Sequence, residues 1–215
     1  MTQFVIHASR RLLIVAVLCL SVATGCGGKA GVPPDPSTFP TTFKAKVKFS
    51  TAPGRPGMGD PVIYRLGDNF RSEVSFNNVS SATILRVDQK KAYTLIPSSK
   101  TYFESPLDEK LLKQFELVKS LGVWPGAKVE PLGEESLNGH PCVKLKITAK
   151  VNERDAVSVL WCATDLKNLP IKIESDINGQ KTALELTEVG FDVDPKAFEP
   201  PPDFQKKDFS GVMSK

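Results

Sequence analysis

Phe43-Lys-Ala-Lys-Val-Lys-Phe49 alternates apolar and charged residues without a break. A chain with that period places successive side chains on opposite faces, so the segment is a strand with one side buried and one in water. The same period, punctuated by turn residues, recurs along most of the sequence. Val62–Leu66 and Phe70–Phe76 flank Gly67-Asp-Asn69, Ala82–Val87 and Ala92–Pro97 flank Asp88-Gln-Lys-Lys91, and Thr101–Glu104 follows Ser98-Ser-Lys100. Residues 127–137 are interrupted at Pro131 and Gly133 and end at Asn138-Gly139. Cys142–Thr148, Ala156–Ala163, Ile171–Ile177 and Lys181–Val193 complete the set, the last two joined by Asn178-Gly179, a strong hairpin signal. About eleven strands joined by short turns make the expected fold mainly β with some α, built on an antiparallel sheet.

One helix is expected within this run. Ser105 stands as its cap, Pro106 takes the first helical position, and Leu107, Leu111, Phe115, Val118 and Leu121 repeat at helical spacing until Gly122. An apolar stripe of this kind packs on a core, here over one mouth of a curved sheet, or serves as a movable lid. Thr51–Pro61 is a long Pro- and Gly-containing connection, either plain or a flap over a cavity mouth. The tail after Asp194 is rich in Pro and Lys and is expected to end in coil.

The N-terminus carries an address. A polar start ending in Arg10-Arg11 precedes the apolar run Leu12–Leu20, too short for a membrane span, then Ala23-Thr-Gly-Cys26. A cysteine directly after a small residue reads as a bacterial lipobox. Residues 1–25 are then a signal peptide and Cys26 carries the lipid; an ordinary secretory signal and an uncleaved anchor are the alternatives. Three acyl chains would make the anchor stable where one would not. Gly27, in place of an inner-membrane-retaining aspartate, favours the outer membrane. Residues 26–41 form the lipidated end and a Gly/Pro-rich flexible linker, with an extended reach of about 45 Å. The domain proper is expected over 42–200, followed by a tail over 201–215.

Charge and cysteine usage narrow the function. Of 28 Lys and Arg against 24 Asp and Glu, two arginines leave with the leader, so the formal charge falls from +4 to +2 and no basic field remains for nucleic acid. The mature chain keeps a single histidine, His140, which removes His-rich metal sites and weakens triad-type catalysis. Neither a metal nor a cofactor is expected, and the reading is non-enzymatic.

Cys142 and Cys162 remain as a pair, read as a disulfide in an oxidising compartment. Pairing the rows Val143, Leu145, Ile147 and Val157, Val159, Trp161 across a hairpin sets 143 opposite 161, 145 opposite 159 and 147 opposite 157. That register also sets Cys142 opposite Cys162. The alternative is two free thiols, with His140 beside Cys142 as a nucleophile pair.

Tyr64-Arg-Leu-Gly-Asp-Asn-Phe-Arg71, Arg86-Val-Asp88, Tyr93-Thr-Leu-Ile-Pro97 and Lys100-Thr-Tyr102 resemble the first half of a LolA-like lipoprotein-sorting domain. Gly133-Glu-Glu135, Asn138-Gly-His-Pro-Cys142, Trp161-Cys-Ala-Thr-Asp165, Leu169-Pro-Ile-Lys172 and Phe198-Glu-Pro200 continue the order over residues 43–200. The resemblance implies a strongly curved, unclosed antiparallel barrel whose helix covers an apolar cavity for acyl chains. The candidate lining is Phe43, Val47, Phe49, Val74, Phe76, Phe115, Val118, Val143, Leu145, Val159 and Trp161, unless these side chains simply fill a closed core. The lipobox departs from the soluble carrier and resembles instead the lipoprotein acceptor and mycobacterial lipid-binding lipoproteins. No ligand-handling residue carries over, since neither Arg65 nor Arg71 matches the carrier's functional arginine securely. The function implied is a tethered protein that binds lipid or lipoprotein acyl chains at the periplasmic face of the envelope. A protein-interaction or stress-sensing module on the same fold is the alternative.

Overall fold

The structure is a computed structural model that describes residues 33–49, 59–77, 79–115, 119–151 and 153–208. Cys26, Val118, the leader and the greater part of the 51–61 connection lie outside the described residues. Among the described residues no helix is long and apolar enough to cross a membrane.

Alternation and turns produce twelve strands: β1 Thr42–Phe49, β2 Val62–Leu66, β3 Asn69–Phe76, β4 Val79–Arg86, β5 Lys91–Ile96, β6 Thr101–Pro106, β7 Lys128–Leu137, β8 His140–Val151, β9 Arg154–Ala163, β10 Leu169–Ile177, β11 Gln180–Gly190 and β12 Gln205–Lys207. They form one sheet in the order β12-β6-β5-β4-β3-β2-β1-β11-β10-β9-β8-β7, with free edges at β12 and β7. Two meanders, β1–β6 and β7–β11, are thus joined side by side where β1 pairs with β11. Within the tail the structure adds one strand that the sequence reading lacks: β12 pairs with β6 in parallel, Gln205 beside Thr101, and the residues after 208 lie outside the described ones.

Both faces are apolar where they are covered. The larger cluster joins Phe70 and Leu85 of the first meander to Leu145, Ile147 and Leu160 of the second. Strands β4 and β8 lie seven spacings apart in the sheet order, and this core runs unbroken between them along the inner side of the curved, unclosed sheet, its concave face. The convex face carries two smaller clusters. One is built on Ile84, Tyr93, Leu95 and Phe198. The other is built on Cys142, Trp161, Ala163 and Ile171.

The concave core is covered by the described parts of the connection from β6 to β7, residues 107–115 and 119–127, because that crossover must pass from one end of the sheet to the other. Its helix, α1, spans Glu109–Gln114, and Asp108 caps it by accepting from the Leu111 amide at 2.8 Å. The expected start at Ser105 is wrong: Ser105 and Pro106 finish β6, where pairing with Ala92 and Lys91 outcompetes the capping pattern. Leu107, Leu111, Leu112 and Phe115 pack against the core, and Leu121 and Trp124 are buried in it. Phe115 meets Phe70 ring to ring, centroids 5.2 Å apart.

The β8–β9 register also differs from expectation by one residue. Val143 faces Cys162, Leu145 faces Leu160 and Ile147 faces Ser158, so Cys142 stands opposite Ala163. Directly paired residues share a face, so one cysteine points into each side of the sheet. Cys162 belongs to the concave core and Cys142 to the convex cluster. Both thiols are free and buried, and the expected disulfide is absent. The sequence offered two apolar rows on β9, and the deciding one is Ala156, Leu160 and Cys162. Trp161 instead lies convex, with Lys144 and Lys172 ammonium groups 4.7 and 4.3 Å from its ring centre.

Burial pushes the Cys162 thiol up to about 12, with Cys142 adding to the shift. Native protein is therefore expected to leave both cysteines unlabelled by iodoacetamide at pH 8, while urea without reductant exposes both. A Cys142–Cys162 linked peptide in the mass map would refute this placement. The unfolded thiol titrates near its ordinary value of 9.0, so above that pH the unfolded chain loses a proton that the native one keeps. The Cys162 contribution to stability is complete below pH 9 and falls by up to about 1.4 kcal/mol per pH unit toward 12.

Candidate functional site

The candidate lining residues separate into four groups. Phe43, Val47 and Leu145 lie on the concave face with 0, 1 and 0 % exposure. A side chain without accessible surface borders no water-sized void, so these three sit in a filled core. Phe115 and Val143 pack against that core at its margin. Val159 and Trp161 are corrections, placed on the convex face by the β9 register. Phe49, Val74 and Phe76 share the concave parity but extend past the cover.

This last group gathers at one end of the sheet. Val62, the first residue of β2, faces Lys46 of β1 and Glu73 of β3. Phe49 and Phe76 each lie three residues further on, hence level with one another on strands about 10 Å apart. Val79 pairs directly with Phe76. Phe49, Phe76 and Val79 are 42, 46 and 56 % exposed, and Val74 is half-buried. The concave face thus runs from a sealed centre to an open apolar rim. Sequence parity points to Phe49 and Phe76; Val79 lies outside the strand expected from Ala82, which in the structure begins at Val79.

A second residue the sequence left unassigned is Arg65. From β2 its Nη1 donates to the Lys119 carbonyl of the cover at 2.8 Å and its Nε to the Gly67 carbonyl at 3.0 Å. Ile63 and Arg65 have the same parity, so this is a guanidinium on the concave side of the sheet. Burial pulls its pKa below the ordinary arginine value, opposed by Asp68. It bolts cover to sheet by a charge-assisted bond. Beneath the cover, Ser158 and Ser175 satisfy one another at 2.5 Å, so the core retains no open polar valence there. Arg71 serves the other face, donating to the Ala197 carbonyl at 2.7 Å.

His140 is held by Asp165, Nδ1 to carboxylate at 2.8 Å. The neighbouring Cys142 thiol is buried and raised above its ordinary value by that burial, which leaves it no thiolate character for a nucleophile pair. Among the described residues no group of three His, Cys, Asp or Glu side chains is placed to hold a metal ion.

Residues 51–169, more than half of the chain, match the family described as Domain of unknown function (DUF4412). The chain belongs to this family. The DUF4412 match runs from the connection after β1 to the start of β10 and so includes both the cover and the rim residues Phe76 and Val79. No curated protein matches the chain. Among solved structures it is similar to an uncharacterized conserved protein of Thermus thermophilus, at 15 % identity and TM-score 0.48, over 80 % of this chain and 93 % of that one. It is also similar to lipoprotein LppX of Mycobacterium tuberculosis, at 12 % identity and TM-score 0.45, over 74 % and 92 %. A LolA superfamily protein from Nitrosomonas europaea follows at 13 % and TM-score 0.37, over 75 % and 91 %.

Proposed function

We propose that this chain is a non-enzymatic, extracytoplasmic lipoprotein, tethered through Cys26 and its linker, that binds the acyl chains of lipids or lipoproteins on the concave face. The observation that carries the reading is the apolar rim: Phe49, Phe76 and Val79 stand exposed at one end of the sheet, on the same face as the larger apolar core. Clustered exposed side chains of this size mark interaction sites, whereas scattered ones do not. An acyl chain entering at the rim replaces cover contacts with its own methylenes, each worth about 0.8 kcal/mol. The cover is the element that must yield. Its contacts include apolar packing, the Arg65 bond and the Leu107 amide donating to the Lys90 carbonyl at 3.0 Å, and among its described residues none belongs to a strand.

A second reading has its own support. The filled centre at Phe43 and Leu145 leaves no space for a ligand while the cover is down, which favours a module that binds a protein through the rim alone. The two separate in one experiment on the full chain carrying Cys26→Ala, which the tether reading expects in the soluble fraction. Native mass spectrometry after exposure to phospholipid vesicles is expected to show retained lipid, and Phe76→Asp with Val79→Asp to reduce it at least tenfold, as loss of two apolar contacts of about 1.5 kcal/mol each requires. Folded protein that retains no lipid would rule out acyl-chain binding and leave the interaction module.

A further inference from the structure

The concave side of the second meander is built in level rows. Leu145, Leu160, Ile173 and Leu184 pair directly across β8–β11, and Leu184 pairs in turn with the rim residue Phe49 of β1. Two residues further along the strands, about 7 Å beyond the level of Phe49, the next row is Ile147, Ser158, Ser175 and Thr182. Directly paired residues share a face, so three adjacent strands each place a hydroxyl on a face that is otherwise apolar. Exposure rises along this row from 0 % at Ser158 and 4 % at Ser175 to half-buried Thr182, which stands on the strand next to β1. The hydroxyl row therefore leads from beneath the cover toward the rim.

The cover accounts for the size of these residues but not for their chemistry. A Cβ added to Gly122 would stand 3.3 Å from Ser158 Oγ, so the close approach of the cover demands a small side chain there. Alanine would meet that demand without burying an oxygen. With the cover down, the Ser158 and Ser175 hydroxyls close on one another at 2.5 Å. Each is both donor and acceptor and can turn about its C–O bond. An acceptor entering beneath a raised cover can thus take a donor from each, in exchange for their one mutual bond.

The two rows also say what such a ligand carries. Neither contains a Lys, Arg, Asp or Glu. An ionised group drawn in among them would lack a counter-charge, at a cost beyond what hydrogen bonds return. A bare hydrocarbon would gain nothing from the hydroxyls, and an amide would bring an N–H that needs a further acceptor. A neutral carbonyl at the root of an apolar chain fits. We infer, resting on the acyl-chain reading above, that the concave face recognises acyl esters. The chain lies on the row from Leu145 to Leu184, its ester carbonyl accepts from Ser158, Ser175 or Thr182, and the charged head stays outside. Glycerophospholipids and the diacylglyceryl end of a lipoprotein both carry this group.

Ether lipids test it, since they keep chains and head but lack the carbonyl. The full chain carrying Cys26→Ala is exposed to vesicles of diacyl phosphatidylglycerol or of its dialkyl ether analogue, and retained lipid is read by native mass spectrometry. The ester is expected to be retained about tenfold better, the scale of one or two neutral hydrogen bonds. Ser158→Ala with Ser175→Ala removes both partners of the buried pair and so leaves no group unsatisfied; it should keep its circular dichroism and lose the preference while still retaining the ether. Ser75→Ala with Ser80→Ala, a hydroxyl pair 3.0 Å apart on the convex face, should keep the preference. An equimolar mixture with a diacylglyceryl-cysteine peptide identifies the source of the ester by whichever is retained. Equal retention of ester and ether, or a preference that survives the double Ser158, Ser175 substitution, would overturn ester recognition and leave acyl-chain binding standing. Retention of neither lipid would remove both.

Discussion

Phe198→Ala is expected to cost about 3–5 kcal/mol in urea unfolding, a large share of the net stability of a domain this size. The residue lies in the turn Pro195–Phe198, capped by Asp194, whose carboxylate accepts from the Lys196 amide at 2.9 Å. Its ring is 1 % exposed and packs with Ala82, Ile84, Tyr93, Leu95 and Val193 on the convex face. Two arginines fix the backbone around it: Arg71 donates to the Ala197 carbonyl at 2.7 Å, and Arg86 to the Phe198 carbonyl at 3.4 Å. Removal of the ring leaves a cavity that these anchors prevent from collapsing, so the cost lies toward the upper end of the range. The segment beyond it is part of the same unit, since Gln205 donates to the Lys100 carbonyl at 2.9 Å and Lys100 pairs with Asp203 at 2.9 Å. A loss below about 1 kcal/mol would mean that residues 194–207 are an appendage, as a domain ending at 200 would have it.

The sequence carried strand existence well and strand relations less well. Period-2 alternation and the Asn178-Gly179 and Gly67-Asp68 turns located eleven strands, because those signals are local. β12 had no such signal: Gln205-Lys-Lys207 has no apolar residue, and only the free edge of β6 recruits it. The β8–β9 register failed for a related reason. Val157, Val159 and Trp161 form as good an apolar row as Ala156, Leu160 and Cys162, and only the cover decides between them, by laying Gly122 against Leu160 and Ser158. The helix start failed because Ser105 and Pro106 satisfy a capping pattern and an edge strand equally well, and the long-range pairing with β5 won. Within the candidate site, Phe49 and Phe76 were legible from parity, whereas Arg65 was not. Nothing in Tyr64-Arg-Leu66 announces that its guanidinium reaches a carbonyl 54 residues away.

Gly122→Ala is expected to destabilise the protein by about 2–5 kcal/mol and to loosen the cover rather than the sheet. Gly122 has φ +74, a region that costs an alanine about 1–2 kcal/mol. An added Cβ would also stand 2.8 Å from Ile173 Cγ2 and 2.9 Å from Leu160 Cδ2, contacts that force repacking worth about 1–3 kcal/mol more. Neither neighbour can withdraw easily, because both are wholly buried on strands in the middle of the second meander. The strain therefore falls on the segment that lacks strand pairing. Leu121, itself held at φ +52 and 1 % exposed, is levered out along with it. Trp124, 7 % exposed, reports the change. In a Trp161→Phe background it is the one remaining tryptophan, and its emission is expected to shift to the red in Gly122→Ala under conditions where β-sheet circular dichroism is retained. Lifting the cover also uncovers the face proposed to take acyl chains, so lipid retention by the folded fraction should rise. Unchanged stability with unshifted Trp124 emission would show that the cover does not dock through Gly122. A red shift with no gain in lipid would separate the cover's docking, which would stand, from its role as the gate, which would not.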